Sequence, residues 1–152
     1  MLKYFFAFIF SLGVLLTPYY RPVIVYECTG PEMFPTYYGC PFIYKATNLG
    51  TSLAWDFFLW PTIINIIIWS TLFLLLRLVI YKTILKNENK IIKYSYVVVK
   101  FIMTVYFLFW IAISLTYEGH SLKSSVDFEN EAKTWGMTCE GHLSLTEYKN
   151  PN

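Results

Sequence analysis

The sequence predicts an all-α membrane protein. It reads as three transmembrane helices, N-terminus inside and C-terminus outside, beneath a small disulfide-stapled extracytoplasmic cap with room for short β-strands. Three observations carry this reading. Residues 57–80 and 94–117 are apolar runs of a length that soluble domains almost never contain. A lysine-rich connector separates them, and every cysteine falls in the segments beyond their other ends. Charged residues make up only 14% of the 152-residue chain, against about 25% in a typical soluble domain, and the mean hydropathy is +0.45. A helix needs roughly 20 apolar residues to cross the hydrocarbon core. The runs therefore consume much of the chain and leave a single membrane domain, 1–152.

The first span is placed at 4–20. Seventeen uncharged residues, YFFAFIFSLGVLLTPYY, lie between Lys3 and Arg21. The stretch has the look of a signal-peptide core behind one basic residue. No small-x-small cleavage pattern follows, however, and the run ends in Thr17, Pro18, Tyr19 and Tyr20, so an uncleaved helix is expected. Ala7 and Ser11 are a small-xxx-small pair suited to close helix packing.

Residues 21–56 form the first outer loop. Cys28 and Cys40 bracket TGPEMFPTYYG, whose Gly and Pro residues supply bends. Both cysteines face the oxidising side. Closing so short a loop stabilises by roughly 2–3 kcal/mol in the chain-entropy picture. A Cys28–Cys40 disulfide is the favoured pairing, with Cys139 in the outer tail as the alternative partner. The segment Pro22–Tyr26 reads as a strand.

The second span, 57–80, follows Asp56 and covers about 30 Å before Arg77. Trp55 and Trp60 mark one boundary and Tyr81 the other, as amphipathic rings settle at headgroup level. Pro61 sits near the helix start, where a missing N–H costs little. Asn65 is the most informative polar residue. An amide in hydrocarbon needs a hydrogen-bond partner, and the expected partner is the face of the third span bearing Lys100, Thr104 and Ser114, or else the first helix.

The connector, 81–93, holds Lys82, Lys86, Lys90 and Lys93 against Glu88 alone. By the positive-inside rule it is cytoplasmic, and Lys3 belongs with it. The same lysines are suited to hold anionic lipid headgroups. The third span, 94–117, is interrupted only by Lys100, close enough to one end for its ammonium to snorkel to water. Every acidic residue except Glu88 lies in 21–56 or in the tail, 118–152. Within the tail, Trp135–Tyr148 reads as a hairpin turning at Glu140-Gly141. A short echo relates Thr116–Leu122 to Thr138–Leu145; it is either coincidence or a paired-strand device.

Candidate chemistry is thin. His120, Cys139 and His142 are weak metal candidates, because the only close pair is Cys139-x-x-His142 and zinc favours tight, repeated spacings. No G-x-S-x-G and no ordered Cys/His/Asn set appears. Neither an enzyme nor a cofactor is expected, and the short connector gives no nucleic-acid surface.

Tyr38-Gly39-Cys40-Pro41-Phe42, followed by a span containing Ile64-Asn65-Ile66-Ile67-Ile68-Trp69, resembles a pattern in small uncharacterised bacterial membrane proteins: a G-x-P-F segment ahead of a helix with an asparagine and tryptophan core. The resemblance covers about a fifth of the chain. It implies a bacterial membrane protein of two to four spans and implies no activity. The resulting expectation is a non-enzymatic subunit or accessory protein of the bacterial cytoplasmic membrane. It would contact lipid and dock another membrane protein or a second copy of itself through its helices and outer cap. The alternative is a small oligomeric transporter or channel with Asn65 and Lys100 on the pathway.

Overall fold

The computed structural model describes residues 2–29, 35–48, 54–85, 90–117, 119–124, 127–134 and 136–146. The elements run α1 (Leu2–Leu16), β1 (Tyr19–Thr29), β2 (Tyr37–Gly39), β3 (Ile43–Thr47), β4 (Ala54–Phe58), α2 (Leu59–Ile80), a π turn at Tyr81–Leu85, α3 (Lys90–Tyr117), β5 (Gly119–Lys123), α4 (Phe128–Thr134) and β6 (Thr138–Thr146). They divide into a helical unit, Met1–Thr17 with Ile66–Ile113, and a sheet unit, Pro18–Asn65 with Ser114–Asn152.

Two helices, most of whose length belongs to the helical unit, are long and apolar enough to cross a membrane, over Leu59–Thr83 and Lys90–Thr116. Only 6% of the first window and 11% of the second is buried within the protein, so the apolar side chains mostly face outward. Thr71, Thr83 and Thr104 each donate their hydroxyl to the carbonyl four residues back. This satisfies the polar group inside its own helix and needs no water. Helix α1 has 15 residues, about 22 Å at the helical rise, and is shorter than the two candidate spans. It ends where Pro18 cannot continue the ladder, and Thr17 N–H closes the last turn on Gly13 O at 2.8 Å.

Small residues let α1 pack closely. Ala7 and Ser11 are both buried, as the small-xxx-small spacing suggested. The Ser11 and Ser70 hydroxyls lie 2.7 Å apart. Phe10 meets Phe73 and Phe107 with ring centroids 5.7 and 5.3 Å away. At Gly13 an added Cβ would stand 2.3 Å from the Phe107 side chain. A hydrogen is all that fits there.

The sheet unit corrects the all-α expectation. Its six strands are ordered β5-β4-β3-β2-β1-β6. Neighbours are antiparallel, except that β4 and β5 run parallel. That parallel pair is joined through α2 and α3, since parallel strands require a crossover connection. The outer loop and the tail thus build one sheet together. Pro22–Tyr26 lies within β1, as read from sequence. Pro22 has no N–H for the ladder, and the β1–β6 register shifts between Tyr19 and Val23.

Several boundaries move. Phe57 and Phe58 belong to β4, and Tyr19 and Tyr20 to β1, so the apolar runs at 57–80 and 4–20 each include strand residues. The third run starts earlier, at Lys90. The hairpin at Glu140-Gly141 does not form. Both residues continue β6, opposite Glu27 and Tyr26. Gly141 is needed there for space, since an added Cβ would come within 2.8 Å of the Tyr26 ring. Nor do the echoed segments pair, because β5 and β6 occupy opposite edges of the sheet.

Side chains alternate across the sheet. Val23, Val25 and Tyr38 pack with Trp55 on one face. Tyr37, Ala46 and Phe58 pack on the other with Tyr26, Ile43 and Phe128, the last carried by α4.

Candidate functional site

The disulfide joins Cys28 to Cys139, which replaces the expected Cys28–Cys40 bridge. The β1–β6 register sets Cys28 directly opposite Cys139, so strand pairing outweighs nearness in sequence. Cys40 stays outside the disulfide and is buried, and its thiol donates to Pro22 O at 3.1 Å.

Asn65 is also placed differently from expectation. It is fully buried, and its partner is the turn between β2 and β3 rather than another helix. Nδ2 donates to Phe42 O at 2.8 Å, and Oδ1 accepts from Phe42 N–H at 3.1 Å. The amide thus occupies both backbone groups of one residue, as a neighbouring strand would. It holds together the two halves of the motif, Tyr38–Phe42 and Ile64–Trp69, on which the family resemblance rested.

Two charged groups of the sheet unit carry contacts that the sequence did not signal: Lys45, and Asp56, which read only as the boundary of a span. Lys45 is 3% exposed, and its ammonium lies 4.1 Å from the Trp55 ring centroid, with Tyr38 and Tyr44 at 5.6 and 5.9 Å. Cation–π attraction to three rings offsets part of its desolvation. Asp56 accepts hydrogen bonds from Asn48 at 2.9 Å and from the Ser121 hydroxyl, and it pairs with Lys123 at 2.6 Å. Burial pushes its pKa up. The bonds from Lys123, Ser121 and Asn48, with the lysine charge, outweigh that, and the net value falls below the ordinary 3.8. These contacts tie β5 to β4 and to the end of β3, so Asp56 reads as a fastening.

The metal candidates do not converge. Cys139 is consumed by the disulfide. His120 lies in β5 and exposed His142 in β6, at opposite sheet edges. Among the described residues no group of three or more His, Cys, Asp or Glu is placed to hold a metal ion. Of the connector lysines, Lys82 is exposed in the π turn, Lys90 and Lys93 are exposed in the first turn of α3, and Lys86 lies outside the described residues.

Two features can meet other molecules. The first is β6, a nine-residue strand at the edge of the sheet. Its Leu143 and Leu145 are 73% and 66% exposed. Natural proteins usually blunt an edge strand, because outward N–H and C=O groups can accept another strand. The second is a cavity of about 360 Å³ in the helical unit. Apolar and aromatic side chains make most of its wall, and Arg77 and Lys100 are its two cations. Asn65 is not among its lining residues. The Lys100 ammonium rests 3.5 Å from the Phe6 ring centroid.

Comparison with family models, curated proteins and solved structures finds no match to this chain.

Proposed function

We propose that the chain is a non-enzymatic integral membrane protein that presents the disulfide-closed sheet outside the bacterial cytoplasmic membrane and docks a partner protein along the edge strand β6. The outward-facing apolar side chains of α2 and α3 support the membrane reading, because in water they would leave a large greasy surface uncovered. Connectivity supports a three-span layout. The C-terminus of α1, the N-terminus of α2 and the C-terminus of α3 each lead straight into a strand, while the opposite ends of α2 and α3 meet at the lysine-bearing connector. The positive-inside rule then sets the connector in the cytoplasm. A disulfide on the sheet suits the oxidising side.

The observation that carries the docking role is the exposed leucine pair on an edge strand. Strand addition draws affinity from main-chain hydrogen bonds and specificity from side chains at alternate positions, and β6 offers both. The test is photocrosslinking in intact membranes from a reactive residue installed at His142, compared with one at Leu122 on the opposite sheet edge. The expected outcome is a discrete protein adduct from His142 alone, diminished by Leu143→Lys with Leu145→Lys. Equal labelling from both edges, or a strictly monomeric species after mild extraction with no adduct, would overturn the docking role.

A further inference from the structure

The cavity of the helical unit has an uncommon charge balance. Apart from Glu88, residues 66–113 contain no acid, and residues 1–17 contain none. Glu88 lies outside the described residues. Arg77 and Lys100 thus line one cavity with no carboxylate counter-ion among the described residues of their unit. Two like charges on a shared wall repel each other. In a medium of low polarity an unpaired cation is expensive. The arrangement is balanced when an anion sits between them.

The rest of the wall says what kind of anion. Phe6, Phe10, Phe73, Met103 and Phe107 form an apolar lining, and Ala7, the smallest residue on that wall, leaves room. The volume of about 360 Å³ falls within the usual range for a specific small-molecule pocket, roughly 300–1,000 Å³. A hydrophilic anion would fill such a space poorly. An anion attached to a hydrocarbon chain fits both parts. Arginine presents a planar fork that matches two phosphate oxygens, and lysine adds a point charge. The Phe6 ring holds the lysine ammonium against the wall, which limits the freedom lost on binding.

Arg77 precedes the end of α2 at Ile80 by less than one turn. Lys100 lies ten residues into α3, about 15 Å from its start at the helical rise. On the membrane reading above, on which this inference rests, both belong to the half of the bilayer next to the lysine connector. That is the cytoplasmic leaflet, where anionic phospholipids concentrate. We infer that the cavity is a binding site for one anionic phospholipid of that leaflet, its phosphate held between Arg77 and Lys100 and an acyl chain laid along Phe10, Met103 and Phe107.

The full chain in lipid nanodiscs provides the test. Thermal unfolding is followed as phosphatidylglycerol replaces phosphatidylcholine. Wild type should show a saturable upward shift at low phosphatidylglycerol content. Arg77→Gln with Lys100→Gln should need at least tenfold more of that lipid for the same shift. Lys82→Gln with Lys90→Gln and Lys93→Gln should keep the low-content response. Met103→Trp, which fills the cavity and leaves its charges in place, should also lose it, and this keeps the test valid if the double charge variant fails to fold. Free glycerol phosphate should give no shift, because the acyl chain is missing.

An unchanged response in the cavity variants would overturn the site. So would loss only in the connector variant, or an equal response to phosphatidylcholine. Failure of the membrane reading is distinguishable: the chain would then remain monodisperse without detergent and would not enter nanodiscs.

Discussion

The two units hold themselves together by different means. The helical unit relies on shape: small residues beneath aromatic rings, hydroxyls folded back onto their own helices, and one serine pair between α1 and α2. The sheet unit relies on specific polar and covalent fastenings: Cys28–Cys139, the Asn65 clamp on Phe42, and the Asp56 cluster. The contrast is what the proposed placement, helices in lipid and sheet in water, would produce. In lipid, apolar helices gain little from hiding apolar surface, so close packing and a few hydrogen bonds decide their association. A small sheet in water has a modest core and gains from staples.

Breaking the disulfide should separate the units most clearly. Cys28→Ser removes a bridge between residues 111 apart in sequence. The chain-entropy estimate for a free loop of that length is about 4.7 kcal/mol. Part of that loop is α2 and α3, which on the proposed membrane placement stay helical when the sheet opens, so we expect about 3 kcal/mol instead. Hydrogen exchange should show β1 and β6 losing protection while α2 and α3 keep theirs. Equal loss in both units would abolish the distinction between them.

Asn65→Leu comes next. It leaves the Phe42 N–H without the clamp's acceptor and removes a donor from Phe42 O, though Cys40 N–H still reaches that oxygen at 3.1 Å. Stranding a fully buried backbone group costs about 1–3 kcal/mol; Phe42 is 53% exposed and its bond to Asn65 part-buried, so we expect a loss of about 1–2 kcal/mol confined to the β2–β3 turn. Faster exchange at the Phe42 amide is the measurement. Asn65→Asp keeps an acceptor for the Phe42 N–H but, when ionised, sets a buried charge against Phe42 O, so at neutral pH it should cost at least as much as Leu and recover as the carboxyl protonates.

Asp56 gives the contrast a pH dependence. Its folded pKa lies below the ordinary 3.8. Its stabilisation is therefore complete above the unfolded value and disappears as pH falls through the folded one. Asp56→Asn should lower sheet stability at neutral pH by about 1.5 kcal/mol, the low end of the scale for hydrogen bonds to a charged group because the amide oxygen still accepts, and should flatten the acid limb of the melting curve. A variant that melts with the wild-type pH dependence would show that other carboxylates set it.

The sequence exposed the helical unit well and the sheet unit poorly, for physical reasons. Spans declare themselves by continuous apolarity, a local property. Strand pairing is not local. The end of β4 merges into the apolar run of α2, so Phe57 read as the first residue of a span. Gly141 read as a turn residue, although its role is to admit the Tyr26 ring from a strand more than a hundred residues away. The disulfide followed the same non-local register. Asn65 was correctly marked as a polar group needing a partner, but the partner was a backbone turn that only the folded sheet provides. Arg77 and Lys100 were each visible as charges near span ends. Their meeting in one cavity depends on how each helix is rotated, which apolar runs without a polar stripe do not reveal.

The smallest expected effect sharpens the comparison from the helical side. Ser11 and Ser70 share a hydrogen bond at 2.7 Å, and Ser11 also reaches Ala7 O at the same distance. A hydroxyl that loses its partner across the helix pair can therefore fall back on its own helix, as the threonines do. Interhelical hydrogen bonds in membranes average about 0.6 kcal/mol for this kind of reason. A double-mutant cycle of Ser11→Ala and Ser70→Ala should give a coupling near that value, below the Asn65 effect. The Phe42 N–H lies in a turn, with no carbonyl of its own helix to fall back on, which is why the buried Asn65 amide should outweigh a part-buried hydroxyl pair between helices. A coupling as large as the Asn65 loss would mean that polar contacts, and not packing at Gly13 and Phe107, govern how α1 sits against its neighbours.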